Sequence, residues 1–275
     1  MRKNRLKATL EAGHLGLGLV HFSASPATIE VMGTSGIDWV TIDTEHACND
    51  VGKLLELIRA ADGAGITPVI RVPEVNRMII QQVLDAGAGG VMVSHVATRA
   101  QAIAAVEAAK YPPLGTRGAC PTIRAADYDP EDWAEFTAES NREVLLFVLV
   151  EEKEGYENIE EILSVPGVDV VFLGNFDLSL SLGLPGESRW DHPVLSAMLD
   201  RVAAVAKRNK VYVQVSLGTK FQEDSEYAAM VSRRGVDLIG CGSDMLLLSR
   251  SCRRIVSLRP QLSAARNSKK ALSAV

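Results

Sequence analysis

The stretch VDVVFLGNFDLSLSLG, Val168–Gly183, opens with a mostly apolar run, Val168–Leu173, that stops at Gly174-Asn175-Phe176-Asp177. Continuous apolarity without strict alternation suits a parallel strand buried on both faces. The same pattern recurs outward in both directions. Toward the N-terminus it is found at His14–Phe22, Ile37–Asp43, Val69–Val72, Gly90–Val96 and Leu145–Val150, and toward the C-terminus at Val211–Val215 and Leu238–Cys241. Between these runs lie helix-length segments: Val51–Ala64, Arg77–Ala86, Thr98–Lys110, Pro193–Asn209 and Phe221–Arg234. Several segments end in Gly directly before the next run, as in Ser35-Gly36-Ile37, Ala64-Gly65-Ile66 and Arg234-Gly235-Val236. Glycine there accepts the left-handed turn that closes a helix and returns the chain to the sheet. Repeated β–α units imply right-handed parallel crossovers. Eight of them close into a (β/α)8 barrel, with an open doubly wound sheet as the alternative. A chain of 275 residues is the size of one such barrel.

Two regions break the rhythm. Tyr111–Asn141 is too long for a simple connection and contains YPPLGTRG followed by a helix expected from near Pro130; long loops in compact domains tend to be functional. Beyond Pro260 the residues turn small and polar, which predicts a surface helix and then a loose end. The expected division is a barrel over residues 1–263 and a flexible tail over 264–275.

Composition narrows the function. With 47% hydrophobic and 23% charged residues the chain reads as a soluble globular protein. No run approaches the roughly 20 apolar residues that span a bilayer, and the basic start is not followed by a signal core, so the cytoplasm is the expected compartment. A net charge of −5 argues against a nucleic-acid surface. The four cysteines, Cys48, Cys120, Cys241 and Cys252, show no CxxC spacing and read as free thiols.

Barrel enzymes place their chemistry at the C-terminal ends of the strands. Those ends carry Asp43-Thr44-Glu45-His46, Arg71, Ser94-His95, Glu151-Glu152-Lys153 and Asn175-Phe176-Asp177, with weaker material at Gln214-Val215-Ser216 and Ser243-Asp244. Glu151 and Asp177 follow adjacent strands, so their carboxylates can converge. Such a pair needs a proton or a hard divalent cation between its members; otherwise each residue caps a helix or pairs with a nearby cation. His46, beside Asp43 and Glu45, reads as an acid–base group, as a metal ligand, or as a histidine hydrogen-bonded at a strand end. Arg71 calls for an anion, either a substrate carboxylate or an internal acid.

Several segments together resemble the HpcH/HpaI aldolase family, the metal-dependent class II pyruvate aldolases, from about Leu15 to Leu248. They are GIDWVTIDTEH (Gly36–His46), VIRVP (Val69–Pro73), QQVLDAGAGGVMV (Gln81–Val93), YPPLGTRG (Tyr111–Gly118), VLVEEKEGYENIEEIL (Val148–Leu163) and VDVVFLGNFDLSLSLG. The resemblance implies a single (β/α)8 TIM barrel of the phosphoenolpyruvate/pyruvate-domain type. It implies that Glu151 and Asp177 bind Mg2+, Mn2+ or Co2+, that His46 is the acid–base residue and that Asp85 is its partner. Arg71 would hold the 2-oxo acid and stabilise its enolate, and main-chain amides around Gly174 and Asn175 would meet the substrate carboxylate. Arg117 and Gly118 match the family's Arg-Gly, at the entrance or at a subunit contact. A homo-oligomer is implied, a hexamer or trimer of dimers with the final helix exchanged between neighbours. The expected partners are a small 2-oxo acid and an aldehyde.

The chain departs from the family pattern at two places. Ser94-His95 stands where Pro is common, and Gly174-Asn175-Phe176-Asp177 where Gly-Pro-Ala-Asp is usual. Either departure reshapes the pocket, or Phe176 packs and His95 is simply solvated. Competing readings are a same-fold enzyme acting on an acyl-CoA or oxaloacetate-type substrate, a class I enzyme using Lys153, and a silent binding barrel. Scattered arginines such as Arg124 and Arg189 offer little for CoA phosphates, and the joint presence of His46, Arg71, Asp85, Glu151 and Asp177 speaks against silence.

Overall fold

Eight parallel strands pair in sequence order, and β1 closes onto β8 in a barrel, which excludes the open sheet. The computed structural model describes residues 3–47, 49–184, 186, 188–218 and 224–272. The strands are β1 (Gly16–His21), β2 (Trp39–Asp43), β3 (Thr67–Val72), β4 (Gly90–Val93), β5 (Leu145–Val150), β6 (Val170–Leu173), β7 (Tyr212–Ser216) and β8 (Leu238–Ser243). Each boundary lies within three residues of the apolar run that predicts it, the largest difference being at the end of β4, as expected when burial on both faces dictates composition.

The first helices are α1 (Arg5–Glu11), α2 (Pro26–Thr34), α3 (Val51–Ala64), α4 (Arg77–Asp85), α5 (Arg99–Ala109) and α6 (Trp133–Glu143). After β5 come the short α7 (Lys153–Glu157) and α8 (Ile159–Leu163), and α9 (Asn175–Ser181) follows β6. The remainder are α10 (Pro193–Asn209), α11 (Ser225–Ser232), α12 (Asp244–Ser257) and α13 (Arg259–Leu272). Part of the helix expected over Phe221–Arg234 lies outside the described residues, as do the last residues of the expected tail and Cys48.

Local chemistry sets the boundaries. The Asp50 side chain caps α3 by accepting the Lys53 N–H, and Gly65 ends that helix at φ 72°. Gly36 and Gly235 also adopt positive φ, 89° and 81°, where the helix-to-strand turns were expected. The barrel interior packs Trp39, Val69, Met92, Phe147, Leu149 and Val170. A Cβ at Gly18 would come within 2.0 Å of the Trp39 ring, so the glycine is what lets the indole fill the lumen.

Leu6 and Leu10 of α1 join this interior cluster from below. Asn4 caps α1 and donates from Nδ2 to the carbonyls of Gly89 and Glu143 at 2.8 and 2.9 Å. The N-terminal end of the barrel is thereby closed, and chemistry is left to the mouth at the strand C-termini. Among the described residues, no helix is long and apolar enough to cross a membrane.

Candidate active site

Asp43, the last residue of β2, is fully buried and organises one side of the mouth. Its Oδ1 accepts the backbone N–H groups of Glu45 (2.7 Å) and His46 (2.8 Å), which turns the chain back over the rim. Its Oδ2 pairs with Nη2 of Arg71, the residue beside it in register on β3. Arg71 Nη1 reaches Glu45 Oε2 at 3.3 Å. Burial lowers the Arg71 pKa, and the charges of Glu151 and Asp177 oppose that shift. The guanidinium is thus anchored on one side by internal acids and faces further acids on the other.

Glu45 is the hub of the opposite side. It accepts from Ser94 Oγ at 2.8 Å and lies 2.9 Å from His95 Nε2. His95 Nδ1 lies 3.0 Å from Glu152 Oε1 and 3.4 Å from Glu151 Oε1. His95 adopts a left-handed backbone, φ 56°, a sparsely populated conformation for a residue of this size that concentrates at functional sites. Ligand atoms of Glu45, His95 and Glu151 lie within 4.8 Å of one another.

Glu151, at the end of β5, is buried beneath this cluster. Gly174 makes its position possible, because a Cβ there would lie 2.8 Å from the Glu151 Cβ. Burial pushes the Glu151 carboxyl up to about 7; His95 pulls it down, while Glu45 and Asp177 push it further up. Burial works against the charge on His95, but Glu151, Glu45 and Glu152 outweigh it and raise its pKa. Protons relieve the crowding of acids here, and a divalent cation would relieve it too; oxygen donors with one imidazole form a donor set that suits such an ion.

A pH dependence of stability follows for the metal-free protein. Glu151 ionises at about 7 when folded and near 4.5 otherwise. The folded state therefore holds a proton that the unfolded chain has released between these values. The resulting stabilisation is complete below about 4.5 and is lost as the pH rises through about 7. The melting temperature of metal-stripped protein is expected to fall across that window, with a shallower fall in Glu151→Gln. Identical slopes in thermal scans of the two proteins would contradict the assignment.

The remaining expected residues divide. Asp177 sits exposed in the first turn of α9, close enough to act electrostatically on Glu151 and Arg71 but outside the three-residue convergence. Asn175 is buried and its Nδ2 donates to the Ser188 carbonyl. The Gly174 N–H is spent on the Val150 carbonyl at 3.0 Å, so it is not free for a substrate carboxylate. Phe176 is 61% exposed beside them and packs into no core. His46 is 62% exposed at the rim, and its nearest carboxylate among the described residues is Glu45, at 4.0 Å.

Asp85 does not meet His46 within the chain. It ends α4 at the closed face of the barrel and accepts from Arg117 Nη2 at 2.6 Å. Arg117 is buried, stacks 4.6 Å from the Tyr111 ring centre, and does not line the mouth of its own barrel. The long segment after α5 builds a satellite core around Tyr111, Trp133 and Phe136. Lys153 is exposed and pairs with Glu157 at 3.7 Å, a poor setting for a Schiff-base nucleophile.

One pair escaped sequence reading. His21, fully buried at the end of β1, lies 3.0 Å from Asp244 at the start of α12. Asp244 also accepts the N–H groups of Phe22 and Ser23, and these bonds hold its carboxyl far below the usual range despite burial. The partners are more than two hundred residues apart, so only the strand-end position of each was visible.

A closed barrel whose mouth gathers carboxylates, an arginine and two histidines has the architecture of a barrel enzyme. The family model for HpcH/HpaI aldolase/citrate lyase matches residues 17–249, and the chain belongs to that family, as a carbon–carbon lyase. It is 41% identical over 206 residues to a hydroxypyruvate/pyruvate aldolase of Sagittula stellata, covering 74% of this chain and 80% of that protein. An HpcH/HpaI aldolase from Desulfitobacterium hafniense superposes with TM-score 0.84 at 30% identity, over 92% of this chain and 96% of the other. The citrate synthase SbnG superposes equally, TM-score 0.84, at 28% identity over 95% and 100% of the two chains.

Proposed function

We propose that the protein is a divalent-metal-dependent aldolase that reversibly cleaves a 4-hydroxy-2-oxo acid to pyruvate, or a related 2-oxo acid, and an aldehyde. The observation that carries this reading is the buried Glu151 carboxylate, crowded by other acids and facing Arg71 across the mouth of a barrel of this family. Glu151 and Asp177 would hold the ion, which supplies Lewis-acid polarisation of the 2-oxo group. Arg71, fixed by Asp43 and Glu45, presents its charge where the enolate oxygen develops. The His46 ring, exposed at the rim with the nearest Glu45 oxygen 4.0 Å away, removes the proton of the 4-hydroxyl. The C3–C4 bond then breaks, the aldehyde leaves, and the enolate is protonated at C3. With the Gly174 amide engaged in the sheet, that of Asn175 is left to meet the substrate carboxylate.

A second reading, condensation of an oxaloacetate-type enolate to a tricarboxylate, has the likeness to the citrate synthase in its favour. Acyl-CoA chemistry has less. Arg124 is committed to Asp62 and the Ala86 carbonyl, and Arg189 to Asp191 and the Tyr227 ring. An assay that couples pyruvate release from a 4-hydroxy-2-oxo acid to its reduction separates the two main readings. Pyruvate formed at catalytic rates is the expected result. Tricarboxylate from oxaloacetate, with no pyruvate release, would transfer the assignment to the second reading.

We also read the chain as a homo-oligomer. Met245, Leu246, Leu248, Ile255 and Val256 of α12 are exposed, and beyond Asp244 and the partly buried Leu247 the helix offers the barrel little. An apolar groove lies open beside β1 and α2, lined by Leu17, Leu19, Val31, Met32 and Ile37. A helix exchanged from a neighbouring copy would cover it. The cytoplasm fits the free Cys120, Cys241 and Cys252.

A further inference from the structure

His95 occupies a position that a merely solvated histidine does not need. Its left-handed backbone carries the ring over the mouth, and Gln101 Nε2 holds its carbonyl there at 3.2 Å. Its own N–H points to Glu151 Oε1 at 3.4 Å. Both ring nitrogens face carboxylate oxygens, and Ser94 Oγ steadies Glu45, one of those acids. A first-row ion sits roughly 2.0–2.2 Å from nitrogen and oxygen donors, so its ligand atoms lie roughly 3–4 Å apart. Donors of Glu45, His95 and Glu151 already within 4.8 Å of one another need only small adjustments to meet that spacing.

Resting on the reading of Glu151 as a metal ligand, we propose that His95 coordinates the same ion and tilts the site from Mg2+ toward Co2+, Ni2+ or Zn2+. Imidazole in place of a water strengthens binding of borderline transition ions, whereas Mg2+ keeps its preference for oxygen. The departure at Ser94-His95 then has a chemical consequence: it adds an imidazole to a donor set otherwise made of carboxylate oxygens.

The test is made on metal-stripped full-length protein, titrated separately with Co2+ and Mg2+ by calorimetry, with the visible absorption of bound Co2+ recorded. Wild type, His95→Ala, His95→Gln and Glu151→Gln are compared, each checked for fold by circular dichroism. His95→Ala and His95→Gln are expected to bind Co2+ at least about tenfold more weakly, as loss of even an outer partner costs 10–100-fold. Their Co2+ bands are expected to move toward those of an all-oxygen site, with Mg2+ affinity little changed. Wild-type Co2+ affinity and spectrum in both His95 variants, with binding lost in Glu151→Gln, would overturn the His95 role and leave Glu151 in place. Wild-type binding in Glu151→Gln would overturn both.

Discussion

Glu151→Gln is expected to lose the divalent ion and turnover together, by at least about a hundredfold in each, while the protein stays folded. The side chain keeps its size and a carbonyl oxygen, so the packing against Gly174 survives. The negative charge is lost, and with it the strongest attraction for a cation in a buried site. Removal of an inner ligand costs more than the 10–100-fold typical of outer partners. The contrast is with His46→Ala, which leaves the ion bound and lowers kcat by about 10²–10⁴, the usual worth of a positioned acid–base group. Metal content and turnover measured on both variants decide the matter. If His46→Ala released the ion, the base would have to be sought elsewhere.

Arg71→Lys is the second substitution with a large expected effect, a fall in kcat of about 10²–10³. The guanidinium spans two acids, Asp43 and Glu45, and a lysine ammonium cannot reproduce that fork. The charge that meets the developing enolate would move or tilt away. Because lysine keeps a cation beside the buried Asp43, the substitution avoids stranding that carboxylate, which Arg71→Ala would do at about 3–5 kcal/mol. Steady-state kinetics with wild-type kcat in Arg71→Lys would remove Arg71 from the chemistry and leave it a structural partner of Asp43.

The barrel was legible because its strands are buried on both faces, and Leu145–Val150 could hardly be written otherwise. Helix limits such as Asp50 and Gly65 were legible for an equally local reason. The helix α1 was not, since its two buried leucines acquire meaning only against Trp39 and Phe147 in the lumen. At the mouth, position alone selected Asp43, Glu45, Arg71, His95 and Glu151, because barrel topology brings strand ends together. Position could not say which would touch. Glu45 turned out to bridge Arg71 and His95, fifty residues from the latter, and Asp85 to bind Arg117. Such pairings depend on rotamers and backbone turns, including the left-handed His95, that no local pattern encodes.

The central claim, metal-assisted cleavage beside a 2-oxo group, is tested most directly by chelation. Retro-aldol turnover of a 4-hydroxy-2-oxo acid is measured on protein stripped with excess EDTA, then after return of Mg2+, Mn2+ or Co2+. The expected result is loss of pyruvate release on stripping and its recovery with at least one ion. Full turnover after exhaustive chelation would contradict the account.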